Sequence, residues 1–358
     1  MRVALLYNSR PESRPEPSAP HAAVRALPDD AYEEFDSDET IGIIAGALAG
    51  LGVDVVPVLA DRRLPWRLDE GRFDFAFNIA EGEGRRCREA VPAAVCELLG
   101  LPCTGSDALT LAVTLDKAVA RRVVSPDVPV ARGFLAVPGA DLAGLSDLAY
   151  PVLVKPNDEG SSKGIRDNPI ATDADGAAAR CRWLWERYDC PALVEEFLPG
   201  VEVTVGVAGN GADVRVLGMM EIGSSDPSET FVYSLEVKRD WRRRVAYHRP
   251  PRLDPATIAE LDRLARTAYR LLGCLDLSRM DFRLDAAGRP RFIECNPLPG
   301  LNPISGDIVL LSQATLPYEA LVQGVLLDAA ARVAGSREAA AARFGLPIGL
   351  QVSGPTRA

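Results

Sequence analysis

The chain has 358 residues, 40 basic and 50 acidic, for a net charge of −10 and a pI near 5.0. Hydrophobic residues make 47% and charged residues 25%, as in ordinary globular proteins, which excludes disorder throughout. The acidic balance lacks the basic footprint of a general nucleic-acid binder, and the length suggests two or three domains or one large α/β unit.

Four lysines stand among 36 arginines: Lys117, Lys155, Lys163 and Lys238. Lysine is a compact point charge and arginine a planar fork. A lysine kept in so arginine-rich a chain suits a position against a single phosphate oxygen, although genome composition alone could give the same bias. Only His21 and His248 occur, which argues against Ser-His-Asp catalysis and multi-histidine zinc sites. The seven cysteines form no C-x-x-C pair and read as reduced thiols of a cytoplasmic protein. The longest apolar stretch, Ile41–Val53, is well short of the roughly 18 residues a membrane span needs.

In chain order, Val3–Tyr7 reads as a strand. Asn8–Asp38, with four prolines, reads as a long loop. Glu39–Leu51 reads as a helix closed by Gly52, followed by strands at Asp54–Val58 and Phe73–Ile79 and a helix at Arg88–Leu99. This alternation predicts a parallel α/β layer. Ser106 or Asp107 can cap a helix running through Val124. Strands follow at Phe134–Val137 and Val152–Lys155, then a Gly/Ser loop at 156–164 and a helix at Asp173–Tyr188. Leu193–Leu198, Glu202–Ala208 and Val214–Ile222 alternate like antiparallel strands, and Ser224–Arg244 reads as a mobile polar loop. Asp254-Pro255 starts a helix that Gly273 ends. Ser278–Asp285 and Arg291–Cys295 are strands, Thr315–Val333 is a helix, and 351–358 is a frayed tail.

Three constellations carry chemistry. In the loop Lys155-Pro156-Asn157-Asp158-Glu159-Gly160-Ser161-Ser162-Lys163-Gly164, two glycines flank two hydroxyls, so N–H and O–H groups can converge on phosphate oxygens. It is not a Walker loop, and an ordinary hairpin turn would look the same. Next, residues i and i+2 of a strand share a face. Arg279 and Asp281 therefore point one way on one strand, as do Glu294 and Asn296 on the next. Two carboxylates and an amide oxygen beside an arginine suit Mg²⁺ shared with phosphate, while a solvated sheet face with an Arg–Asp pair is the plainer alternative. Finally, the edge Glu195-Glu196-Phe197-Leu198 can bond an adenine through its backbone, and Glu202 can hold ribose hydroxyls, a pattern with little information by itself.

Together with Cys103-Thr104-Gly105-Ser106 and Leu115-Asp116-Lys117, these pieces resemble the ATP-grasp carboxylate–amine ligases of the D-alanine–D-alanine ligase type, from about Val3 to about Ser305. The resemblance implies three α/β domains: an N-terminal layer (1–106), a central lid domain (107–196) and a C-terminal domain with antiparallel sheet (197–340), with a tail at 341–358. ATP would lie between the last two domains. Lys117, Lys155 and Lys238 would contact phosphates, under a lid formed by Gly160, Ser161 and Ser162. Glu195, Glu196, Phe197 and Leu198 would frame the adenine and Glu202 the ribose. Asp281, Glu294 and Asn296 would hold two Mg²⁺, for which Mn²⁺ can substitute. Arg279, with Lys238 and Ser161, would act in catalysis, and Gly300 would touch substrate. A cytoplasmic homodimer acting on small amino-acid or peptide-like substrates is also implied, with no nucleic-acid or membrane partner.

The resemblance also has departures. Phe77-Asn78-Ile79-Ala80-Glu81-Gly82-Glu83-Gly84 lacks the family's histidine, Arg239 stands where a tyrosine is common, and Ser305-Gly306 stands for Ser-Leu. Glu39 is the expected first-site glutamate. The resulting expectation is an ATP- and Mg²⁺-dependent ligase joining an amino-acid-like carboxylate to an amine, with Glu39, Asn78, Glu81, Arg279, Gly300 and Ser305 shaping a pocket for substrates other than paired D-alanine. A divergent D-alanine–D-alanine ligase and a non-catalytic ATP-binding regulator are the alternatives.

Overall fold

The computed structural model describes residues 1–9, 28–84, 86–166, 169–226 and 231–348. Most of the expected loop 8–38 and all of the tail 351–358 lie outside the described residues.

The chain opens with β1 (Arg2–Tyr7), α1 (Asp38–Ala49), β2 (Asp54–Leu59), α2 (Leu64–Gly71), β3 (Phe75–Asn78) and α3 (Ala90–Leu98). The three strands form a parallel sheet in the order β2-β1-β3. Val3, Ala4, Leu5 and Leu6 are wholly buried, because a parallel strand with helices on both faces has no solvent side. Ser37 caps α1 by accepting from the Thr40 amide.

The expected helix through Val124 is two helices, α4 (Ala108–Leu115) and α5 (Lys117–Val124). Asp116 leaves the helical conformation at ψ 95° and accepts from the Val119 amide, so it ends one helix and caps the next. There follow β4 (Gly133–Ala136), β5 (Val152–Pro156), β6 (Ile170–Ala171), α6 (Ala174–Tyr188) and β7 (Ala192–Glu196). These four strands form an antiparallel sheet, β4-β7-β5-β6, with α6 packed on it through Ala177, Cys181 and Leu184.

The third sheet holds β8 (Glu202–Ala208), β9 (Arg215–Ser224), β10 (Val245–His248), β11 (Leu277–Leu284) and β12 (Pro290–Asn296), in the antiparallel order β10-β9-β8-β11-β12. Between β9 and β10, the described part of the expected loop folds into α7 (Leu235–Arg239) and α8 (Trp241–Arg244). Then α9 (Pro255–Leu271), capped by Asp254, buries Leu261, Leu264, Ala265, Ala268 and Tyr269 on one face of the sheet. On the other face lies α10 (Asp307–Ser312). Its close approach requires glycine: a Cβ at Gly206 would stand 2.6 Å from Ile308 Cδ1, and one at Gly218 would stand 2.4 Å from the Leu311 carbonyl. The chain closes with α11 (Tyr318–Ala334) and α12 (Arg337–Phe344), so helix continues past the boundary expected at 340. Among the described residues, no helix is long and apolar enough to cross a membrane.

Candidate active site

A cleft runs between the four-stranded and five-stranded sheets, and the N-terminal segment closes one end of it. Register aligns its floor. Asp281 stands opposite Glu294, and Arg279 opposite Asn296, on paired antiparallel strands. All four side chains line the cleft, as the i, i+2 pattern predicts. The Arg279 guanidinium bonds Asp281 at 2.8 Å and Asp307 at 3.1 Å. Asp307 escapes the sequence reading because a six-residue helix is too short to show a period. Thr204 donates to Asp281 from the neighbouring strand.

The helix break at Asp116 positions Lys117. Asn157 donates its side-chain amide to Asp116 at 2.8 Å and accepts from the Lys117 and Ala118 backbone amides. This clamps the start of α5 against the Gly/Ser loop, and Lys117 Nζ lies 3.3 Å from the Glu294 carboxylate. Lys155, buried on β5, pairs with Glu195 at 2.6 Å, and Arg121 also reaches Glu195. Lys238, on α7, donates to Ser161 Oγ at 3.0 Å, and Ser162 donates to the Tyr233 carbonyl at 2.8 Å. Both serines have positive φ, 50° and 58°, so the loop turns sharply over the cleft.

Charge is closely matched here. Burial alone would raise the Glu294 carboxyl, but Lys117, Lys155 and Arg279 outweigh it and hold it at about 2. Burial lowers the Lys238 ammonium. Burial pushes Glu202 up to about 7 against the pull of Arg283. The donor set of two carboxylates and an amide oxygen, all lining one cleft, fits a hard divalent cation that keeps water and phosphate oxygens as further ligands.

Lys117, Lys155, Gly160, Ser161, Ser162, Glu195, Glu196, Phe197, Leu198, Glu202, Lys238, Arg279, Asp281, Glu294 and Asn296 all line this one cleft, as does Glu81. On the adenine edge, two backbone groups are already engaged: the Phe197 amide donates to Pro151, and the Leu198 carbonyl accepts from Arg283. Arg283 also lies over the Phe197 ring, 4.9 Å from its centroid.

The substrate expectations fare differently. Glu39 is exposed in the first turn of α1 and does not line the cleft; a first-turn acid faces solvent and the helix dipole. Ser305 is also exposed, bonding Asn302 within its own turn. Asn78 and Gly300 line a smaller adjoining cavity, whose wall shares Glu34 and Glu81 with the cleft. Glu34, not Glu39, lines both the cleft and this cavity. Its carboxylate bonds Arg88 at 3.0 Å and Lys163 at 2.7 Å, and a Cβ on Gly160 would stand 2.4 Å from its Oε1. Burial raises Glu34, but Lys163 and Arg88 overcome it and bring the carboxyl to about 2. Around it, Asp30 accepts from the Gly164 amide and Tyr188, and Arg239 pairs with Glu33 and Asp29. Segment 28–36 thus ties the Gly/Ser loop and α7 together.

The family model described as D-ala D-ala ligase C-terminus matches residues 142–327. The chain belongs to the D-alanine–D-alanine ligase family. It is 33% identical over 306 residues to the D-alanine–D-alanine ligase of Geobacter sulfurreducens, covering 82% of this chain and 89% of that protein. Among solved structures, it resembles the D-alanine–D-alanine ligase of Bacillus anthracis complexed with ATP (TM-score 0.69, 19% identity, 94% of this chain and 99% of that one). It also resembles the VanG D-Ala:D-Ser ligase of Enterococcus faecalis (TM-score 0.66, 20% identity, 91% and 98%). The fold is ATP-grasp, and the protein is an ATP-dependent carboxylate–amine ligase of a family that uses ATP and a divalent metal.

Proposed function

We propose that this ligase joins two D-alanine units, or closely similar D-amino acids, through an acyl phosphate. The observation that carries the reading is the single cleft holding all four lysines, Arg279 and the Asp281–Glu294–Asn296 donor set. The relatives whose length it shares, D-alanine–D-alanine ligases by name, support D-alanine over the different-substrate expectation.

A carboxylate is a poor acyl donor. Its oxygen attacks the γ-phosphorus of ATP and ADP leaves, giving an acyl phosphate. The amine nitrogen of the second substrate then attacks the acyl carbon, loses a proton, and inorganic phosphate departs. Lys117, Lys155 and Lys238 neutralise the phosphate charge. Asp281, Glu294 and Asn296 would hold one or two Mg²⁺, which would supply charge neutralisation at the transferred phosphoryl group. Arg279, fixed between Asp281 and Asp307, stabilises the oxyanion of the tetrahedral species. Ser161 orients Lys238, and the Gly/Ser loop with α7 keeps water from the acyl phosphate.

The test is phosphate release from ATP and Mg²⁺ against paired D- and L-amino acids, with mass spectrometry of products. D-alanyl-D-alanine as the dominant product is the expected result. Another dipeptide in its place sinks the D-alanine assignment. ATP binding without phosphate release across the whole matrix would favour the regulator.

A further inference from the structure

Amide formation leaves one proton to be placed. The nitrogen that bonds the acyl carbon becomes positively charged, and shedding a proton keeps it from departing again while phosphate leaves. A base for this step must stand beside the oxyanion donor, because the oxyanion and the attacking nitrogen share one carbon. Arg279 is that donor, and two carboxylates flank it, Asp281 and Asp307.

The two are not equivalent. Both oxygens of Asp281 are taken: Arg279 donates to each, at 3.1 Å to Oδ1 and 2.8 Å to Oδ2, and Thr204 donates to Oδ1. Asp307 gives Arg279 only Oδ2, at 3.1 Å. Among the described residues it makes no other hydrogen bond or ion pair, so Oδ1 is left without a partner. The side chain is 11% exposed and lines the cleft. Its place is fixed by close packing. Gly206 and Gly218 let α10 press on β8 and β9, and a Cβ on Gly306 would stand 2.4 Å from the Gly300 carbonyl. Asp307 is therefore built into the wall, whereas Ser305, two residues earlier, is exposed and bonds within its own turn.

The other groups around Asp307 are poor acceptors for the proton. Tyr233 and Tyr247 bond each other at 2.8 Å through their hydroxyls. Burial raises both phenols and the Asp307 charge raises them further, so they stay protonated at neutral pH. Burial lowers the Lys238 ammonium, and the Asp307 charge is the chief influence opposing it. Lys238 also donates to Ser161, which engages it as a cation.

We propose that Asp307 is the general base of amide formation and orients the incoming amine through its free Oδ1. The inference rests on the reading above that an amine attacks an acyl phosphate. The amine enters as the free base. Its lone pair forms the N–C bond, and the carbonyl π pair moves onto the oxygen facing Arg279. One N–H proton passes to Asp307 Oδ1. The π pair then returns, the bond from carbon to the phosphate oxygen breaks, and phosphate leaves with the electrons of that bond. Asp307 yields its proton to the departing phosphate, which restores the carboxylate.

The test uses the full chain and two nucleophiles, with D-alanine as the activated acid. Hydroxylamine is uncharged at neutral pH and attacks acyl phosphates without a base, so D-alanyl hydroxamate reports activation and Arg279 alone. Asp307→Asn should lower dipeptide formation about a hundredfold or more, the usual range for a general base, while hydroxamate formation stays within about threefold of the native rate. Equal loss of both products would leave Asp307 as a holder of Arg279 and overturn the assignment, and so would unchanged dipeptide formation. Asp307→Ser, scored in the same way, answers the question if the amide variant does not fold; failure of both to fold overturns the catalytic role in favour of a structural one. If the native protein makes neither product from D-alanine but both from another amino acid, the D-alanine reading falls and the same comparison with that acid decides the role of Asp307. If it makes hydroxamate but no amide with any amino acid, the amide reading and the role of Asp307 fall together.

Discussion

The two ends of the cleft solve opposite electrostatic problems. At the nucleotide end, cations meet acids before any ligand arrives: Lys117 with Glu294, Lys155 with Glu195, and Arg279 with Asp281 and Asp307. Such pairing holds each side chain in place, so little reorganisation is needed when phosphate binds. At the amino-acid end, acids outnumber cations: Glu34, Glu159 and Glu89 share Arg88, Glu34 and Glu159 also meet Lys163, and Glu81 makes no ion pair among the described residues. A preformed, balanced site suits a ligand shared by a whole family. An unbalanced one suits a ligand that itself brings the missing charge.

The strongest way to break this contrast is at Arg279, the most tightly held cation of the nucleotide end. Arg279→Ala should lower kcat by about a hundred- to a thousand-fold, the usual size for loss of an oxyanion donor. KM for ATP should change far less. Arg279→Lys should recover only part of the rate, because a point charge cannot bridge Asp281 and Asp307 as a fork does. Steady-state kinetics decides it: a large rise in ATP KM with unchanged kcat would make Arg279 a ground-state phosphate ligand instead.

Glu202 is the exception at the nucleotide end, and it sharpens the comparison. Burial raises its carboxyl from 4.5 to about 7. In the unfolded chain the proton leaves near the ordinary value, so the native state binds more protons between about pH 4.5 and 7. The contribution of this group to stability is therefore present below that window and lost as pH rises through it. Glu202→Gln should accordingly gain on the wild type as pH goes from 5 to 8, by up to about 3 kcal/mol. Urea unfolding of both proteins at the two pH values measures this; a difference that does not change with pH removes the buried, protonated Glu202.

The same contrast governs how much could be read from the sequence. The nucleotide end sits on regular elements. Arg279, Asp281, Glu294 and Asn296 follow strand alternation, and the lysines stand out by scarcity alone. The amino-acid end sits on irregular backbone. Between residues 29 and 39 there are seven acids, Asp29, Asp30, Glu33, Glu34, Asp36, Asp38 and Glu39, and no local period selects among them. Glu34 is singled out only by long-range partners, Arg88 54 residues away and Lys163 129 away. The break at Asp116 was illegible for a different reason: no Gly or Pro marks it, and an aspartate within a helical run reads as a tolerated surface residue unless its capping bond is seen.

Gly160 tests how rigidly Glu34 is held. Gly160→Ala places a Cβ 2.4 Å from Glu34 Oε1, and that carboxylate cannot simply swing away while Arg88 and Lys163 grip it. A loss of about 1–3 kcal/mol is expected, the usual cost of overpacking. Adding Glu34→Gln, which weakens the grip, should make the two changes cost less together than the sum of each alone. Additive losses in denaturant unfolding would mean that Glu34 relaxes freely.

The smallest effect is expected at Arg239, where the chain departs from the family's tyrosine. Its guanidinium pairs with Glu33 and Asp29, and both Arg239 and Asp29 are largely exposed. Surface pairs contribute little, so Arg239→Ala should cost under about 1 kcal/mol in unfolding. Yet this residue follows Lys238 directly, and its partners belong to the segment that also holds the Gly/Ser loop through Asp30 and Gly164. Weakening the tie should therefore appear as leakage, with ATP hydrolysed to ADP and phosphate without a matching amount of dipeptide, because the acyl phosphate is less well shielded from water. The ratio of phosphate to dipeptide should rise in Arg239→Ala, and should rise in the wild type as salt screens the exposed pairs. A ratio that stays at one in both cases would mean that the ion pairs tie the surface together without guarding the intermediate, leaving the shielding to Ser162 and its bond to Tyr233.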